Sequence, residues 1–262
     1  MNHISKMFAQ GGGRAHRGHS WEQREGGYRR IALLVGNGIW PANKEKRLVS
    51  FLLDRGFCVL SLDLALGSPA APRVRLRAFR HAISAFAKAE APSGLPLYLI
   101  ASSFSASALL PVANEIEGIT ALALVSPIVE FPLPRLKFPF FFLPTAQIPA
   151  GPERLSGSPE LLEGLADGAS VLKFHRRDLK TLAADIARSL DKPQTVPAAA
   201  FAGEDDPFLS QEGIKALSKA GLKVYSYPRI KHEPGHDRYA DNFYADLGSF
   251  LDEVEAGKVP AR

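Results

Sequence analysis

The stretch YLIASSFSASALL, residues 98–110, joins an apolar run typical of a buried strand to a segment of small residues that contains four serines. Small residues let a helix pack closely against a sheet, which is one reason to find serine here. A serine on the turn between a strand and a helix can also act as a nucleophile. The remaining sequence has to distinguish these two interpretations.

Apolar runs bounded by glycine or proline occur five more times along the chain, and segments with helical spacing separate most of them. Nearly continuous apolar runs are typical of strands that are buried on both faces of a parallel sheet. The alternation predicts an α/β fold with a mostly parallel, doubly wound sheet. Strands are predicted at 31–35, 57–64, 95–101, 119–127, 196–203 and 222–228, and helices at 45–56, 75–90, 210–221 and 240–255.

The composition is that of a globular protein, with 262 residues of which 46% are hydrophobic and 23% charged. This length is enough for a single domain with a large core. Since no apolar run reaches the length of a transmembrane helix, no membrane span is predicted, and the N-terminus lacks the apolar stretch of a secretory signal. The single cysteine, Cys58, cannot form an intrachain disulfide, which is expected of a protein in the reducing cytoplasm.

The net charge of +5 lies mainly near the N-terminus. Residues 1–30 carry six basic and two acidic side chains, a net +4, which leaves +1 for the rest of the chain. The basic, glycine-rich composition of residues 1–28 predicts a disordered tail rather than a nucleic-acid-binding arm. We expect one α/β domain over residues 29–257, with an insertion at about residues 128–190 whose first half is rich in proline and phenylalanine.

Polar groups follow three of the predicted strands, at the edge where an open α/β sheet gathers its reactive residues. Serines follow the strand at 95–101, acidic residues follow 196–203, and histidines follow 222–228. A serine hydroxyl becomes a useful nucleophile when a histidine removes its proton, and a carboxylate orients that histidine. The chain order serine, acid, histidine therefore predicts a catalytic triad.

Ser103 is the preferred nucleophile because it lies nearest the strand end and has small residues, Ala101 and Ser105, two positions before and after it. The usual nucleophile motif, G-x-S-x-G, has glycine at both of those positions, so this sequence departs from it. Ser105 remains an alternative, since Ser103 and Ser107 flank it in the same way.

For the acid, the spacing G-x-x-D after the strand favours Asp206, with Asp205 and Glu204 as alternatives. For the base there are two candidates. His232 comes soon after the strand at 222–228, and His236 lies in a Pro-Gly-His-Asp sequence that imitates the glycine-histidine pair of many hydrolases.

An oxyanion formed during catalysis needs backbone N–H donors. The N–H group of Phe104, directly after the preferred serine, is the first predicted donor. The second is that of Ile39, in the glycine-containing turn GNGIW, residues 36–40. No cofactor or metal is expected at this site.

The segment ASSFSA, residues 101–106, resembles the nucleophile segment of the acyl-ACP thioesterase (acyltransferase) family of bacterial bioluminescence, whose pattern there is A-x-S-hydrophobic-S-A. The likeness continues in FAGEDDPFLSQE, residues 201–212, where that family has two adjacent aspartates and uses the second. The family's catalytic histidine precedes an Asn-Phe-Tyr sequence by nearly the distance that separates His232 from residues 242–244. The resemblance covers roughly residues 31–252.

This resemblance implies an α/β-hydrolase fold and cleavage of long-chain acyl thioesters, carried by acyl-ACP or acyl-CoA, through an acyl-serine intermediate. It implies Ser103 as nucleophile, Asp206 as acid and His232 as base. An acyl carrier protein and an acyl-acceptor enzyme are then expected partners. The same triad also suits a carboxylesterase or lipase acting on oxygen esters, and the fold alone suits a non-catalytic binding protein.

The phenylalanines of the insertion are too many for a solvent-exposed loop. Burying each large apolar side chain contributes roughly 1.5–3 kcal/mol, so we expect the insertion to form a cap on the domain. Some of these side chains can also line a slot for an acyl chain, which the stiff prolines between them would keep partly open. Phe138, Phe141 and Phe142 are the predicted substrate-binding residues.

Overall fold

The computed structural model describes residues 2–10, 14–22, 27–36, 45–63, 76–91, 94–131, 145–149, 151–158 and 171–259. The strands of this part of the chain are β1 (Asn2–Gln10), β2 (Arg14–Glu22), β3 (Arg30–Gly36), β4 (Phe57–Asp63), β5 (Leu97–Ser102), β6 (Ile119–Val125), β7 (Thr145–Pro149), β8 (Val171–His175), β9 (Ala198–Gly203) and β10 (Lys223–Tyr227). The helices are α1 (Lys46–Asp54), α2 (Leu76–Glu90), α3 (Ser103–Leu109), α4 (Pro152–Leu155), α5 (Arg176–Leu190), α6 (Gln211–Lys219) and α7 (Ala240–Glu255).

Eight of these strands form one sheet in the order β1-β2-β4-β3-β5-β6-β9-β10. Six neighbouring strands of this sheet are parallel to one another, namely β4, β3, β5, β6, β9 and β10. Strand β2 pairs antiparallel with both β1 and β4. The six predicted strands are the six parallel neighbours, and they occupy nearly the predicted residues. The prediction of an α/β fold with a mostly parallel sheet is confirmed.

The sheet is covered by helices on both faces. Alternate residues of β3 show the division, since Leu33 belongs to the apolar cluster that includes residues of α2, α3, α5 and α6, whereas Leu34 belongs to the cluster that includes residues of α1 and α7. Each face therefore has its own apolar core, and strands buried on both faces read as continuous apolar runs in the sequence. The carboxyl ends of the parallel strands lie together at one edge, where the candidate site is found.

The prediction of a disordered tail at residues 1–28 is wrong for β1 and β2, which extend the sheet beyond β4. Trp21 is buried in the core on the α1 and α7 side, and its ring stacks on that of His19 at 5.5 Å. A Cβ atom placed on Gly18 would lie 2.3 Å from the Phe86 ring, so glycine lets β2 pass close to α2. Pairing of β2 with the edge of β4 stabilises these strands in spite of the basic, glycine-rich composition of residues 1–28.

The predicted insertion lies between β6 and β9 and contains an antiparallel pair of strands, β7 and β8, together with α4 and α5. Helix α5 contributes Leu179, Leu182 and Ile186 to the same core as α2, α3 and α6, so the last part of the predicted insertion belongs to a helical layer of the domain. Phe138, Phe141 and Phe142 lie outside the described residues. Within the described ranges, no helix is long and apolar enough to cross a bilayer.

Candidate active site

Ser103 lies on the sharp turn where β5 ends and α3 begins. Its backbone φ angle is +54°, which is unusual for any residue other than glycine, and the preceding Ser102 is extended. Strained backbone of this kind persists only where the surrounding structure holds it, and it is concentrated at functional sites. The turn projects the Ser103 side chain beyond the carboxyl end of β5.

The other serines of this stretch have structural contacts that hold the turn. The Ser105 hydroxyl donates to the Gly36 carbonyl oxygen at 2.5 Å, which ties α3 to the end of β3. The Ser107 hydroxyl donates to the Ser103 carbonyl oxygen at 3.0 Å and accepts from the Ile128 N–H at 2.7 Å. The hydroxyls of Ser105 and Ser107 therefore join neighbouring segments, and the alternative nucleophile Ser105 donates to a backbone carbonyl oxygen rather than to a histidine.

The Ser103 hydroxyl instead contacts His232, with 2.7 Å between Ser103 Oγ and His232 Nε2. The other ring nitrogen, Nδ1, lies 2.8 Å from Asp206 Oδ2. His232 is 1% exposed, and its ring packs edge to face with the Phe208 ring at a centroid distance of 4.9 Å. With a proton on Nδ1, the imidazole donates to Asp206 and accepts from Ser103, as a general base must.

Asp206 is held on the turn that follows β9. Its Oδ1 atom accepts from the Phe208 N–H at 2.8 Å, while Oδ2 faces His232. The alternative acid Asp205 is exposed, and its N–H donates to the Ile230 carbonyl oxygen at 3.0 Å. Glu204, also exposed, accepts from Ser226 Oγ at 3.0 Å. Neither alternative carboxylate reaches the imidazole.

A close backbone contact explains why a glycine, Gly203, precedes this acidic turn. A Cβ atom at Gly203 would lie 2.1 Å from the Lys231 carbonyl oxygen and 2.2 Å from that of Ile230. The backbone just before His232 therefore passes directly over the end of β9. This close approach brings the histidine within hydrogen-bond distance of Asp206.

Burial and the nearby carboxylates shift the pKa of His232 in opposite directions. Burial lowers the pKa of the imidazole, but the Asp206 carboxylate, its hydrogen bond and the charge of Glu233 together raise that pKa above the usual value of 6.5. An adjoining carboxylate stabilises the imidazolium form. The site can thus hold the proton that a base takes from serine.

His236, the alternative base, lies outside this arrangement. Its Nε2 atom is 2.9 Å from Glu45 Oε2, at the start of α1. Burial lowers the pKa of His236, but the hydrogen bond and charge of Glu45, with the charge of Glu233, raise it to about 9. His236 is therefore a charged structural partner of Glu45.

This ion pair predicts a pH-dependent stability. Because the folded pKa of His236 is raised, its contribution is complete below the unfolded pKa of about 6.5 and is lost as the pH rises through about 9. We expect Glu45→Gln to lower the free energy of unfolding on the order of 1–3 kcal/mol near pH 6 and to have little effect near pH 10. Urea denaturation at several pH values measures this difference.

Asp241→Asn is the matched control, because Asp241 pairs on the surface with Arg47, an arginine rather than a histidine. Its effect on the free energy of unfolding should be small and nearly constant between pH 6 and pH 10. If Glu45→Gln lowered the free energy of unfolding by the same amount at pH 6 and at pH 10, the assignment of the charge to His236 would be wrong.

Phe104 is the second residue of α3, so its N–H has no carbonyl partner within that helix and can donate at the turn. The other predicted oxyanion donor, Ile39, lies outside the described residues. The Phe104 ring stacks on Phe174 of β8 at 4.7 Å and meets Phe131 at 6.0 Å. The insertion therefore packs directly beside the serine turn.

Sequence reasoning did not single out Phe174 or Asp237, both of which are buried near the site. The alternating apolar residues of VLKFH, residues 171–175, could have indicated a strand with Phe174 facing inward. No pattern indicated that Asp237 would contact the insertion. Among the described residues, no group of three or more His, Cys, Asp or Glu side chains is placed to hold a metal ion.

Comparison with solved structures identifies the architecture. A lipase in its open form matches with a TM-score of 0.75 at 18% identity, covering 97% of this chain and 99% of the other. A monoacylglycerol lipase of Paleococcus ferrophilus matches with a TM-score of 0.74 at 14% identity, covering 95% and 99%. A thermostable carboxyl esterase of Bacillus coagulans matches with a TM-score of 0.72 at 16% identity, covering 97% and 99%.

These matches show that the chain has the α/β-hydrolase fold, as predicted. No protein-family model and no curated protein matches the sequence. The three structures agree with the fold that the resemblance found in the sequence implies. The likeness to the acyl-ACP thioesterase family stays a hypothesis.

Proposed function

We propose that this protein is a serine hydrolase that cleaves carboxylic esters through an acyl-serine intermediate. The observation that carries the proposal is the hydrogen-bonded chain from Ser103 Oγ to His232 Nε2 at 2.7 Å and from His232 Nδ1 to Asp206 Oδ2 at 2.8 Å. A buried hydroxyl, imidazole and carboxylate in this order form the arrangement that activates a serine nucleophile.

In the acylation step, Ser103 Oγ attacks the ester carbonyl carbon as His232 Nε2 takes the hydroxyl proton. The Nδ1–H group donates a hydrogen bond to the Asp206 carboxylate, which stabilises the imidazolium that forms. The carbon–oxygen bond to the alcohol then breaks, and His232 gives its proton to the departing alkoxide. The products of this step are an acyl-Ser103 ester and a free alcohol.

In the deacylation step, His232 takes a proton from water, and the resulting hydroxide attacks the acyl-serine carbonyl. The bond to Ser103 Oγ breaks, the proton returns to that oxygen, and a carboxylic acid is released. The N–H of Phe104 is the first oxyanion donor in this proposal, and the N–H of Ile39 is the second.

Oxygen esters are the favoured substrates because the similar solved structures named above are lipases and an esterase. Acyl thioesters are the second candidate, supported by the likeness of ASSFSA, residues 101–106, to the thioesterase family. In that case an acyl carrier protein and an acyl-acceptor enzyme would be the partners. Phe138, Phe141 and Phe142 would line the acyl slot in either case.

Access to the site is a further requirement of the proposal. Ser103 is 3% exposed, and Phe131 and Phe174 pack beside its turn through Phe104. Phe131 and Phe174 of the insertion therefore lie beside the turn that an ester has to reach. A fluorophosphonate probe tests this directly, because it labels only a serine that is both reachable and activated.

We expect the purified protein to react with a fluorophosphonate probe and to hydrolyse p-nitrophenyl esters with a kcat/KM at least about tenfold above that for acyl-CoA thioesters of the same chain length. An acyl series from two to sixteen carbons gives the length preference. A preference for thioesters would overturn the assignment to oxygen esters. Absence of both labelling and turnover would indicate a non-catalytic binding protein.

A further inference from the structure

Asp237 is a buried carboxylate near the site that the proposed chemistry does not use. It lies five positions after His232, in the histidine loop, residues 228–239, and is 3% exposed. Its Oδ2 atom accepts from the Gly157 N–H at 3.0 Å and from the Ser156 hydroxyl at 3.2 Å. Both partners belong to the α4 segment, residues 151–158, which is part of the insertion.

The Ser156 hydroxyl lies at the centre of this contact. Its single proton is shared between Asp237 Oδ2 and the His236 carbonyl oxygen, which is 3.0 Å away. The same oxygen accepts from the Ser158 N–H at 2.8 Å, which fixes the turn of the α4 segment. Truncating Asp237 would leave the half-buried Gly157 N–H without this acceptor, and the Ser156 hydroxyl would keep only the His236 carbonyl oxygen.

The α4 segment also binds the histidine loop directly before and after His232. The Glu233 N–H donates to the Leu155 carbonyl oxygen at 2.8 Å, and Lys231 Nζ donates to the Glu153 carbonyl oxygen at 2.5 Å. The residues directly before and after His232 are thus both bonded to the insertion. Within this set, Asp237 supplies the buried side-chain carboxylate.

We propose that Asp237 is a positioning residue that fixes the histidine loop to the insertion and so holds the His232 imidazole at its distance from Ser103. The inference rests on the proposed function, because it names what orients the base of that site. Between β10 and α7 the loop contains one short helical turn, at residues 234–236. Hydrogen bonds to neighbouring segments, from both its backbone and its side chains, therefore hold it in position. A displacement of about 1 Å at a catalytic group can lower a rate about a hundredfold.

Asp237→Ala tests the proposal through the leaving group. An alkyl ester needs the His232 proton for its alkoxide to depart, whereas p-nitrophenolate leaves without it. We expect Asp237→Ala to lower kcat/KM about tenfold to a hundredfold for an alkyl ester and several-fold less for the p-nitrophenyl ester of the same acid. Asp237→Asn keeps an oxygen acceptor for both bonds and should restore most of the activity.

Asp241→Ala is the matched control, since Asp241 is an exposed aspartate four residues along the chain whose partner is Arg47. It should leave both ester activities near those of the wild type. Ser156→Ala removes the hydroxyl contacts from the side of the insertion and should reproduce a part of the Asp237→Ala effect. If Asp237→Ala does not fold, Ser156→Ala is the variant that tests the proposal.

Proton NMR separates this proposal from the proposed function. The Nδ1 proton of His232, hydrogen-bonded to Asp206, should give a downfield resonance that is weakened or shifted in Asp237→Ala and retained in Asp237→Asn and Asp241→Ala. A wild type without esterase activity would overturn the proposed function, and the resonance alone would then decide the positioning role. An unchanged resonance in Asp237→Ala, or alkyl-ester activity equal to that of the wild type, would overturn the positioning role.

Discussion

Ser103→Ala is expected to lower kcat for ester hydrolysis roughly 10⁴-fold or more and to abolish fluorophosphonate labelling. The physical reason is that this variant removes the atom that forms the covalent bond, so the reaction must proceed by direct attack of water. The His232 imidazole and the remaining site would still be present and give a small residual rate. Single-turnover kinetics and mass spectrometry of the labelled protein measure both effects.

Ser105→Ala provides the contrast within the same turn. Because the Ser105 hydroxyl donates to the Gly36 carbonyl oxygen, its loss should destabilise the fold by about 1–3 kcal/mol while labelling of Ser103 continues. Labelling that disappears in Ser105→Ala and persists in Ser103→Ala would reverse the assignment of the nucleophile.

His232→Ala is expected to lower kcat/KM roughly 10⁴-fold, because no other group then takes the proton from Ser103. His236→Ala should retain activity within about tenfold, since His236 contacts Glu45 rather than Ser103. Loss of activity in His236→Ala with activity kept in His232→Ala would reverse the choice of base.

The pH profile offers a second measurement of the same prediction. Catalysis requires neutral His232, and the pKa of this residue is raised by Asp206 and Glu233 in spite of its burial. Activity should therefore be present at high pH and fall as the pH drops through a value above 6.5. The residual activity of His232→Ala should lack this acid limb.

Local patterning predicted most of the sheet and the helices around it. The strand predicted at residues 119–127 corresponds to β6 (Ile119–Val125), and the helix predicted at residues 75–90 corresponds to α2 (Leu76–Glu90). These elements could be read from the sequence because a strand buried on both faces and a helix buried on one face carry distinct apolar periods. The short, glycine-bounded strands of the parallel sheet provide that signal repeatedly.

The strands β1 and β2 could not be predicted in this way. Their stability comes from pairing with β4 and from the burial of Trp21, and neither contact leaves an apolar period in a basic, glycine-rich segment. The contact between Asp237 and Ser156 is equally hidden, because the two residues are 81 positions apart and no local pattern links them.

The chain order of serine, acid and histidine after three strands was readable from residues 95–236, because the carboxyl ends of parallel strands meet at one edge of the sheet. The sequence left a choice between two serines, between neighbouring acids and between two histidines. In the structure, contacts across 129 and 26 positions join Ser103, His232 and Asp206, which supports their assignment in the proposed function. A hydrogen bond depends on the direction of each side chain, and that direction follows from backbone torsion and from the packing of distant segments.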